Sequence, residues 1–416
     1  KKFRYVGESV NRVEDQRFLV GAGKFVDDVS LPGMTHMAIL RSPHAHARIK
    51  AIDLSAAKRM PGIIDVFAAG DIKIDMPEIP LRLAPFEGFE KFLQKPIAVD
   101  KVRYVGEPIA VIIAENRYLA EDALAEITLD FDILPAVTDL DQAQTGDVLL
   151  HEAAGENIGA AYPVSRGDVE KVFKEAPYSR REKFKTNRHA ACPLETRGLI
   201  GECDRDSGVL RLTGAAKVTF FNRRHLALAF GLEEKQVELI ELDVGGAFGA
   251  RGELYPEDYL VLIAAQRLGR PVKWVEDRRE NLMACNHSRD ITCDLEIAAT
   301  TDGKILGMRC EVRGDLGAYV RTNGGVVPSK AVQFLPGPYR VPAFAAEMKA
   351  IVTNKTPVGT MRGPGRFEAN FCRERLLDMM ADDLNIDPAE LRLKNLMGPA
   401  ELPYRIGELV PGDPDA

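Results

Sequence analysis

The sequence lacks the residue patterns that hold a metal ion or an iron–sulfur cluster by themselves. Its 416 residues include six cysteines and seven histidines. No two cysteines form a C-x-x-C pair, and no histidines form an H-E-x-x-H motif. We therefore expect neither an iron–sulfur cluster nor a structural zinc ion in this chain. Scattered cysteines of this kind are usually small, buried apolar side chains.

Long apolar runs are also absent. No stretch approaches the roughly 20 apolar residues of a membrane-spanning helix. The basic start, Lys1–Arg4, is followed by no apolar segment of the kind found in signal peptides. These two absences predict a cytoplasmic protein without a membrane span. The net charge of −7 argues against nucleic acid as a partner, since nucleic-acid-binding surfaces are usually basic.

What the sequence does contain is an ordinary globular composition with mixed helix and strand periodicity. Hydrophobic residues make up 45% of the chain and charged residues 28%. Its length is enough for two or three domains with their own cores. The patterns predict an α+β fold: a small N-terminal α/β domain over residues 1–140, a linker over 141–165, and a larger mixed α+β domain over 166–416.

Local patterns give more specific predictions within this frame. The continuous apolar run Ile109–Ala114 indicates a buried strand, and the next segment a helix capped by Asn116. A short strand is predicted at the end of Arg17–Asp28, and another strand over Val218–Phe221. Residues 71–98 are rich in proline and poor in periodicity, which predicts a surface loop.

The most informative segment is a glycine-rich loop, Val244–Arg251, with the sequence V-G-G-A-F-G-A-R. It lies between an alternating apolar run that begins at Val237 and a helical pattern over Glu257–Leu268. Three glycines in five positions let the backbone adopt φ > 0 and approach a ligand closely, and an embedded Phe248 is unusual in a simple linker. A tight strand–helix turn explains the loop alone equally well. A dinucleotide-binding fingerprint does not, because G-x-G-x-x-G requires a glycine at Val244.

A second loop, Pro357–Glu368, distinguishes between these interpretations. It has the sequence P-V-G-T-M-R-G-P-G-R-F-E. In order, the two loops resemble the G-G-G-F-G-G-K and R-G-x-G loops of the molybdenum-binding subunits of the xanthine oxidase family, in particular the large subunits of the aerobic carbon monoxide dehydrogenase type. The resemblance extends from Val6 to Asn395. The charged residues of a further family phrase, Glu195 and Arg197, are interpreted as a salt bridge at a strand edge rather than as catalytic groups.

The resemblance implies a hammerhead-like α/β domain followed by the first half of a molybdopterin-binding domain. It implies an oxidoreductase that uses oxygen from water and a molybdenum–pterin cofactor, in the cytosine dinucleotide form, shared with a partner chain. FAD and 2Fe-2S clusters would lie on other subunits and accept the electrons. The implied cofactor-binding residues are Gly246, Ala247, Phe248, Gly249, Arg362 and Gly363. The Phe248–Gly249 backbone would donate N–H groups to the apical oxo ligand, and Arg362 would lie beside the cofactor.

Several positions around the implied substrate pocket depart from the family pattern. Gly363 occupies the position of the cysteine that carries copper in carbon monoxide dehydrogenases, so the implied substrate is an aldehyde or an N-heterocycle rather than carbon monoxide. Gly252 stands where purine hydroxylases have a substrate-binding glutamate, with Glu253 beside it. The candidates for the substrate pocket are Lys217, Lys330 and Pro364. Each lysine is explained equally well as a surface residue.

One part of the family pattern is missing. In the family, a C-terminal half carries most pterin contacts and the glutamate base, in a G-x-G-E motif that this sequence does not contain. We therefore expect no certain catalytic residue here, and expect the base on a separate chain or on a part lost by cleavage. The expected partners are a second molybdopterin-binding chain, an iron–sulfur subunit, an FAD subunit and a small-molecule substrate. The alternative is a non-catalytic remnant or assembly-like binding module of the same fold, which would have no reason to retain both loops.

Overall fold

A computed structural model describes residues 5–214, 218–404 and 407–411. Short helices and strands alternate in the first third of the chain. In chain order they are α1 (Asp15–Leu19), β1 (Thr35–Arg41), β2 (Ala47–Asp53), α2 (Ser55–Arg59), β3 (Ile63–Ala68), β4 (Lys101–Val102), β5 (Pro108–Ala114), α3 (Arg117–Leu124) and β6 (Thr128–Ile133). The strand predicted from the apolar run and the Asn116 cap are both confirmed, since the Asn116 side chain accepts a hydrogen bond from Leu119 N.

The remaining elements include the longest strands and helices of the described residues. They are α4 (Leu140–Thr145), β7 (Ile158–Arg166), α5 (Val169–Glu175), β8 (Tyr178–Thr186), β9 (His189–Ala190), β10 (Gly198–Cys203), β11 (Leu210–Gly214), α6 (Thr219–Phe230), β12 (Val237–Ile240), α7 (Pro256–Leu268), β13 (Val272–Val275), α8 (Arg278–Ala284), β14 (His287–Ser288), β15 (Ile291–Ala299), β16 (Ile305–Gly317), α9 (Val326–Phe334), β17 (Ala343–Val352), α10 (Arg366–Leu384) and α11 (Pro388–Asn395). This mixture of helices and sheets confirms the predicted α+β class.

One seven-stranded sheet contains strands from both parts of the chain, in the order β12-β11-β10-β13-β1-β5-β3. β5 lies inside it, and its residues alternate between two cores, as a strand buried on both faces requires. Val111 and Ile113 pack into the core that contains α7, whereas Ala110 and Ile112 pack into the core that contains α3. The apolar run of β5 is continuous because both faces of the strand are covered.

A five-stranded sheet, β7-β17-β16-β15-β8, forms the second structural centre. Its buried face packs against α9 and α10 in the largest hydrophobic core, which includes Phe344, Met348, Leu376 and Met380. Strands β4-β2-β6 form a small separate sheet, and β14 pairs with β9. The second loop follows β17 and leads into α10, so this core fixes both of its ends.

The predicted linker is wrong. Residues 141–165 contain most of α4, whose Leu140 and Ala143 are buried in the large core, and most of β7, which pairs along its length with β17. The sequence of β7 does not alternate clearly between polar and apolar residues, because its solvent-facing residues are Ala161, Pro163 and Ser165 while Ala160 and Tyr162 face the core. The predicted boundary at residue 140 also falls between strands that belong to one sheet, so the two parts share a core.

Two further local predictions are wrong. Val218–Phe221 belongs mostly to helix α6 rather than to a strand, because packing of the later apolar residues of α6 outweighs the strand preference of V-T-F-F. The segment before Asp28 contains a 3-10 turn instead of a strand. Its backbone is held by a side chain, since Lys24 N donates to Asp243 Oδ2 at 2.8 Å.

Residues 71–98 are irregular, as predicted, but they are not only a surface loop. Ile79, Phe89, Phe92 and Ile97 are each at most 1% exposed. Proline prevents regular structure here without preventing burial. No helix in the described part of the chain is long and apolar enough to cross a membrane.

Candidate cofactor-binding site

The glycine-rich loop joins β12 to α7 in a backbone conformation that few residues other than glycine adopt. Three of its residues have positive φ: Gly246 at 110°, Phe248 at 48° and Gly249 at 99°. A Cβ at Gly249 would lie 3.0 Å from the carbonyl oxygen of Thr360, so the close approach of the second loop requires glycine there. Phe248 is strained and yet 46% exposed. Strain at an exposed aromatic residue points to a functional role rather than to packing.

The back of this loop is fixed by Glu195, which lies in the connection between β9 and β10. Gly245 N donates to Glu195 Oε2 at 2.7 Å, and Arg251 pairs with the same oxygen at 3.0 Å. The Arg251 guanidinium also donates to the carbonyl oxygen of Thr196 at 2.9 Å. One carboxylate therefore joins both ends of the loop. Glu195 forms a salt bridge, but not at a strand edge: its partner is Arg251 of the glycine-rich loop, whereas Arg197 pairs with Glu257 and Glu276.

The second loop lies directly against the first. Arg362 N donates to Phe248 O at 2.8 Å, and Thr360 Oγ1 lies 3.1 Å from Gly249 O, a contact between residues 111 positions apart. Gly363, like its neighbour Gly365, has positive φ, here 68°. The two motifs therefore form one continuous structure, in which four of the six predicted cofactor-binding residues lie on the first loop and two on the second.

A buried arginine supports the second loop, and no sequence motif identified it. Arg289 donates to the carbonyl oxygens of Arg362 and Gly363, the latter at 3.3 Å. It also pairs with Glu368 at 3.3 Å, and its guanidinium lies 4.6 Å from the centre of the Phe367 ring. A cation bonded to two carbonyl oxygens fixes the direction of the loop backbone. The polar run around Arg289 is the one local signal in the sequence, and it does not say which loop the arginine supports.

Glu253 is the second support, although the sequence considered it only as a neighbour of a substrate-binding position. It is 3% exposed. Its Oε1 accepts a hydrogen bond from Thr360 N at 2.5 Å, and its Oε2 accepts one from Asn286 Nδ2 at 2.6 Å. Burial raises the pKa of Glu253, and the hydrogen bonds from Thr360 offset only part of that effect. Both of its oxygens are used inside the protein, so the carboxylate acts on the loop rather than on a ligand.

The outer side of the joined loops carries donors without acceptors. Among residues 5–214, 218–404 and 407–411, no acceptor binds the N–H groups of Phe248 and Gly249. The exposed Arg362 guanidinium likewise has no ion pair or hydrogen bond with the described residues. Backbone N–H groups at positive-φ positions together with a guanidinium are a set that binds oxygen-rich anions. The site therefore fits a cofactor that carries oxo and phosphate oxygens.

The remaining predicted residues differ in how close they come to the loops. Pro364 is half-buried on the second loop. Lys330 packs its backbone against that loop, because a Cβ at Gly365 would lie 2.6 Å from the Lys330 carbonyl carbon, and its Nζ donates to Gln333 at 2.6 Å. Lys217 lies outside the described residues. Within the ranges that the structure covers, no group of three or more His, Cys, Asp or Glu residues could hold a metal ion.

The pKa values of two adjacent carboxyl groups behind the first loop are shifted in opposite directions. Burial alone would raise the pKa of Glu257, but the nearby Arg197 and Arg41 outweigh it and lower that pKa to about 2. Burial raises the pKa of Asp258 to about 7, because its main partner is the neutral N–H of Tyr255 and Arg197 acts on it only weakly. The difference arises because the two arginines bond directly to Glu257 and not to Asp258.

A small cavity of about 20 Å³ separates the first loop from this buried charge cluster. It has room for about one water molecule. Its lining includes Arg251, Asp258 and Glu253. The buried Nε and Nη1 of Arg251 have no hydrogen-bond partner among the described residues, and burial lowers the pKa of Arg251. The underside of the loop is therefore lined by polar groups.

Two family models match the chain in succession. Residues 20–135 match the a/b hammerhead domain of aldehyde oxidase and xanthine dehydrogenase, and residues 150–396 match the molybdopterin cofactor-binding domain. Both loops fall within the second match. The two matches meet close to the boundary predicted from sequence, although one sheet crosses it.

Full-length relatives give the same picture. The gamma subunit of the 6-hydroxypseudooxynicotine dehydrogenase complex from Paenarthrobacter nicotinovorans is 37% identical over 97% of this chain and 51% of the relative. The carbon monoxide dehydrogenase large chain from Hydrogenophaga pseudoflava is 36% identical over 94% of this chain and 50% of the relative. The crystal structure of quinoline 2-oxidoreductase from Pseudomonas putida 86 superposes with a TM-score of 0.92 at 34% identity, over 97% of this chain and 51% of that chain.

The chain thus spans about half the length of these relatives. A more distant relative differs in this respect. The large molybdopterin subunit of nicotinate dehydrogenase from Eubacterium barkeri is 28% identical, and the alignment covers 95% of this chain and 90% of the relative.

Proposed function

The chain belongs to the molybdenum-binding subunits of the xanthine oxidase family, and from that premise we propose that it forms one wall of a molybdenum–pterin site in a hydroxylase. The observation that carries this proposal is the junction of the two loops. There the Arg362 backbone donates to Phe248 O, and neither the N–H groups of Phe248 and Gly249 nor the Arg362 guanidinium has a partner among the described residues. When bound, the cofactor supplies the oxidation of substrate with oxygen from water.

The residues of this chain bind and orient. The N–H groups of Phe248 and Gly249 hold an oxygen ligand of the metal, and because the loop is already fixed from behind by Glu195, they need no reorganisation to do so. Arg362 binds cofactor oxygens through its planar guanidinium. Gly246, Ala247 and Gly363 complete the binding surface, where short side chains allow close approach. Lys217, Lys330 and Pro364 are the proposed pocket residues on the substrate side.

The proposed substrate is an aldehyde or an N-heterocycle. Gly363 supplies no thiolate, and copper requires a soft sulfur ligand, so we propose that carbon monoxide is not the substrate even though one similar chain carries that name. The name of the quinoline enzyme favours an N-heterocycle over an aldehyde. Copper bound beside molybdenum, or turnover of carbon monoxide, would contradict this part of the proposal.

The glutamate base and the remaining pterin contacts are proposed to lie on a second molybdopterin-binding chain. The nicotinate dehydrogenase subunit supports this arrangement, because the alignment covers nearly its whole length and it is called a subunit. Electrons would pass to 2Fe-2S clusters and FAD on further subunits. The cytosine dinucleotide form of the cofactor and a cytoplasmic location belong to the same proposal.

Metal and pterin analysis of the purified complex tests the proposal. We expect molybdenum and pterin in the complex and neither in the isolated chain. Arg362→Met should lower the pterin content about tenfold or more, as the loss of charge-assisted hydrogen bonds implies. Arg366→Met is the matched control, because Arg366 is also an exposed arginine of the second loop but lies over the Phe334 ring at 4.4 Å. A complex without molybdenum would favour the alternative, a non-catalytic binding module.

A further inference from the structure

Glu253 touches the second loop where that loop meets the first. Its Oε1 accepts Thr360 N at 2.5 Å and lies 2.9 Å from Thr360 Oγ1, while its Oε2 accepts Asn286 Nδ2 at 2.6 Å. It forms no ion pair with any of the described residues. Arg321 and Arg82 act on the carboxylate only from beyond ion-pair distance, so the hydrogen bonds from Thr360 are the main compensation for its burial.

The contact is close enough to constrain the sequence of the second loop. A Cβ at Gly359 would lie 2.5 Å from Glu253 Oε1 and 2.2 Å from Asn286 Nδ2. A side chain at position 359 would therefore displace the ends of the Asn286 and Glu253 side chains, with no positive φ involved. The backbone of the second loop thus rests directly on the Glu253–Asn286 pair.

Thr360 transmits this contact to the first loop. Its hydroxyl lies within hydrogen-bond distance of both Glu253 Oε1 and Gly249 O, and its carbonyl oxygen faces the space that a Gly249 side chain would fill. Two residues later, Arg362 N donates to Phe248 O. From the buried side toward the outer side, Glu253 therefore contacts Thr360, and Thr360 contacts Gly249.

We propose that Glu253 is a positioning residue that fixes where the backbone of the second loop lies relative to the first loop. By fixing Thr360, it fixes the Arg362–Phe248 hydrogen bond and so places the Arg362 guanidinium beside the free N–H groups of Phe248 and Gly249. Its role follows from the length and acceptor geometry of the side chain, not from its charge. The consequence for cofactor binding rests on the proposed function, whereas the effect on the loop does not.

Length and charge can be separated with three variants. Glu253→Gln keeps the length and one acceptor for Thr360 N. Its new NH2 group can donate to Asn286 Oδ1, which has no partner among the described residues, once the Asn286 amide rotates. Glu253→Asp keeps the charge but is one methylene too short to reach both partners. Glu253→Ala removes both.

Glu107 provides a matched control elsewhere in the fold. It is 2% exposed, and it also accepts hydrogen bonds from a backbone N–H and a hydroxyl, Arg103 N at 2.6 Å and Tyr319 Oη at 2.6 Å. The same three substitutions at Glu107 should change exchange around residues 101–107 and leave the second loop unchanged.

The test is hydrogen exchange measured by mass spectrometry on the full chain with its native partners. We expect peptides over 357–368 to exchange about tenfold faster in Glu253→Ala and Glu253→Asp, and at nearly the original rate in Glu253→Gln. If Glu253→Ala does not fold, the contrast between the aspartate and glutamine variants still decides. Equal exchange in those two variants, or rescue by aspartate instead of glutamine, would overturn the proposal.

Pterin content measured on the same samples separates this inference from the proposed function. Faster exchange of the second loop together with loss of pterin supports both the role of Glu253 and the proposed function. Loosened loops in a complex that never contains pterin support the role of Glu253 and overturn the proposed function. Unchanged loops in a complex that retains pterin overturn the role of Glu253 alone.

Discussion

The first loop and the Arg362–Gly363 part of the second loop are held from behind by opposite charges. The first loop rests on a carboxylate, Glu195, which accepts the N–H of Gly245 at 2.7 Å. That part of the second rests on a cation, Arg289, which donates to the carbonyl oxygens of Arg362 and Gly363. One support therefore binds a backbone donor, and the other binds backbone acceptors.

This difference explains what each loop can present to a ligand. The carbonyl oxygens of Arg362 and Gly363 point inward and bond to Arg289. At these two residues the exposed polar group is therefore the Arg362 side chain. In the first loop, positive φ at Phe248 and Gly249 leaves their N–H groups without acceptors among the described residues. The first loop thus offers rigid backbone dipoles and the second a side-chain cation, and the predictions below test each support separately.

The largest expected effect is the loss of the cation under the second loop. Arg289→Met leaves Glu368 buried, 1% exposed, without its partner. Breaking a buried pair in this way costs about 3–5 kcal/mol of unfolding free energy, measured from urea midpoints of the purified chain. The double variant Arg289→Met with Glu368→Met should be less destabilised than the sum of the two single variants, because no buried charge remains. Simple additivity of the two costs would contradict this account of the support.

The next largest effect is a fall in turnover when the first loop is changed. Gly249→Val drives a branched side chain toward the Thr360 carbonyl oxygen, which a Cβ alone would approach to 3.0 Å. Displacing one backbone donor should cost about 3 kcal/mol of transition-state stabilisation, on the order of a hundredfold in turnover. The measurement is turnover normalised to molybdenum content in the assembled complex.

Gly231→Val is the control for backbone strain in this experiment. Gly231 also has positive φ, at 66°, but a Cβ there meets no atom within 4 Å. The control should lose stability and keep normalised turnover. If Gly249→Val also kept its normalised turnover, the loop would be a simple strand–helix turn, the reading that the sequence alone left open.

Sequence patterns predict the parts of this molecule whose cause is local. β5 was predictable because both of its faces are covered, and the cap at Asn116 because its side chain accepts from the N–H group of Leu119. The paired loops were recognised by their resemblance, in order, to two sequence motifs of the family. The positions of Phe248 and Arg362 as cofactor ligands remain predictions.

The supports of the loops were not predictable, because each acts across a long stretch of sequence. Arg289 reaches Arg362 across 73 residues, and Glu253 reaches Thr360 across 107. Neither residue stands in a pattern that names its partner. The linker prediction failed for a related reason: β7 contains Gly159, Pro163 and two alanines and shows no clear alternation by itself, and only its pairing with β17 shows that it is a strand with residues that face a core.

A smaller effect is expected from the carboxyl group behind the first loop. The pKa of Asp258 is about 7 in the folded chain, above its ordinary value of 3.8. Between about pH 4 and 7 the folded chain keeps a proton that the unfolded chain has released, so stability falls as pH rises through this range and is lowest above it. Asp258→Asn removes the titrating group, so the stability no longer falls as the pH rises. It should stabilise the protein at pH 8 by about 2 kcal/mol and much less at pH 5, after allowance for water reaching the adjacent cavity.

Its neighbour Glu257 provides the contrast. The pKa of Glu257 is about 2, so its contribution is complete above about pH 4.5 and is lost only as the pH falls toward 2. Glu257→Gln should therefore destabilise the protein equally at pH 5 and pH 8. A pH-dependent cost in Glu257→Gln, or a pH-independent effect in Asp258→Asn, would show that the two burial environments have been assigned incorrectly.

The smallest effect separates the glycines of the two loops. Gly363 has φ of 68°, but a Cβ there would meet no atom within 4 Å, whereas at Gly249 it would press on the second loop. Gly363→Ala should therefore cost only the strain of a left-handed backbone, about 1 kcal/mol, and Gly249→Ala clearly more. Both are measured as shifts in unfolding free energy. A side chain is thus sterically admissible at position 363, and the absence of a thiolate there is a matter of chemistry rather than space. If Gly363→Ala proved as costly as Gly249→Ala, the space beside Gly363 would be smaller than the structure shows. The argument against a copper site would stand, because it rests on the missing thiolate.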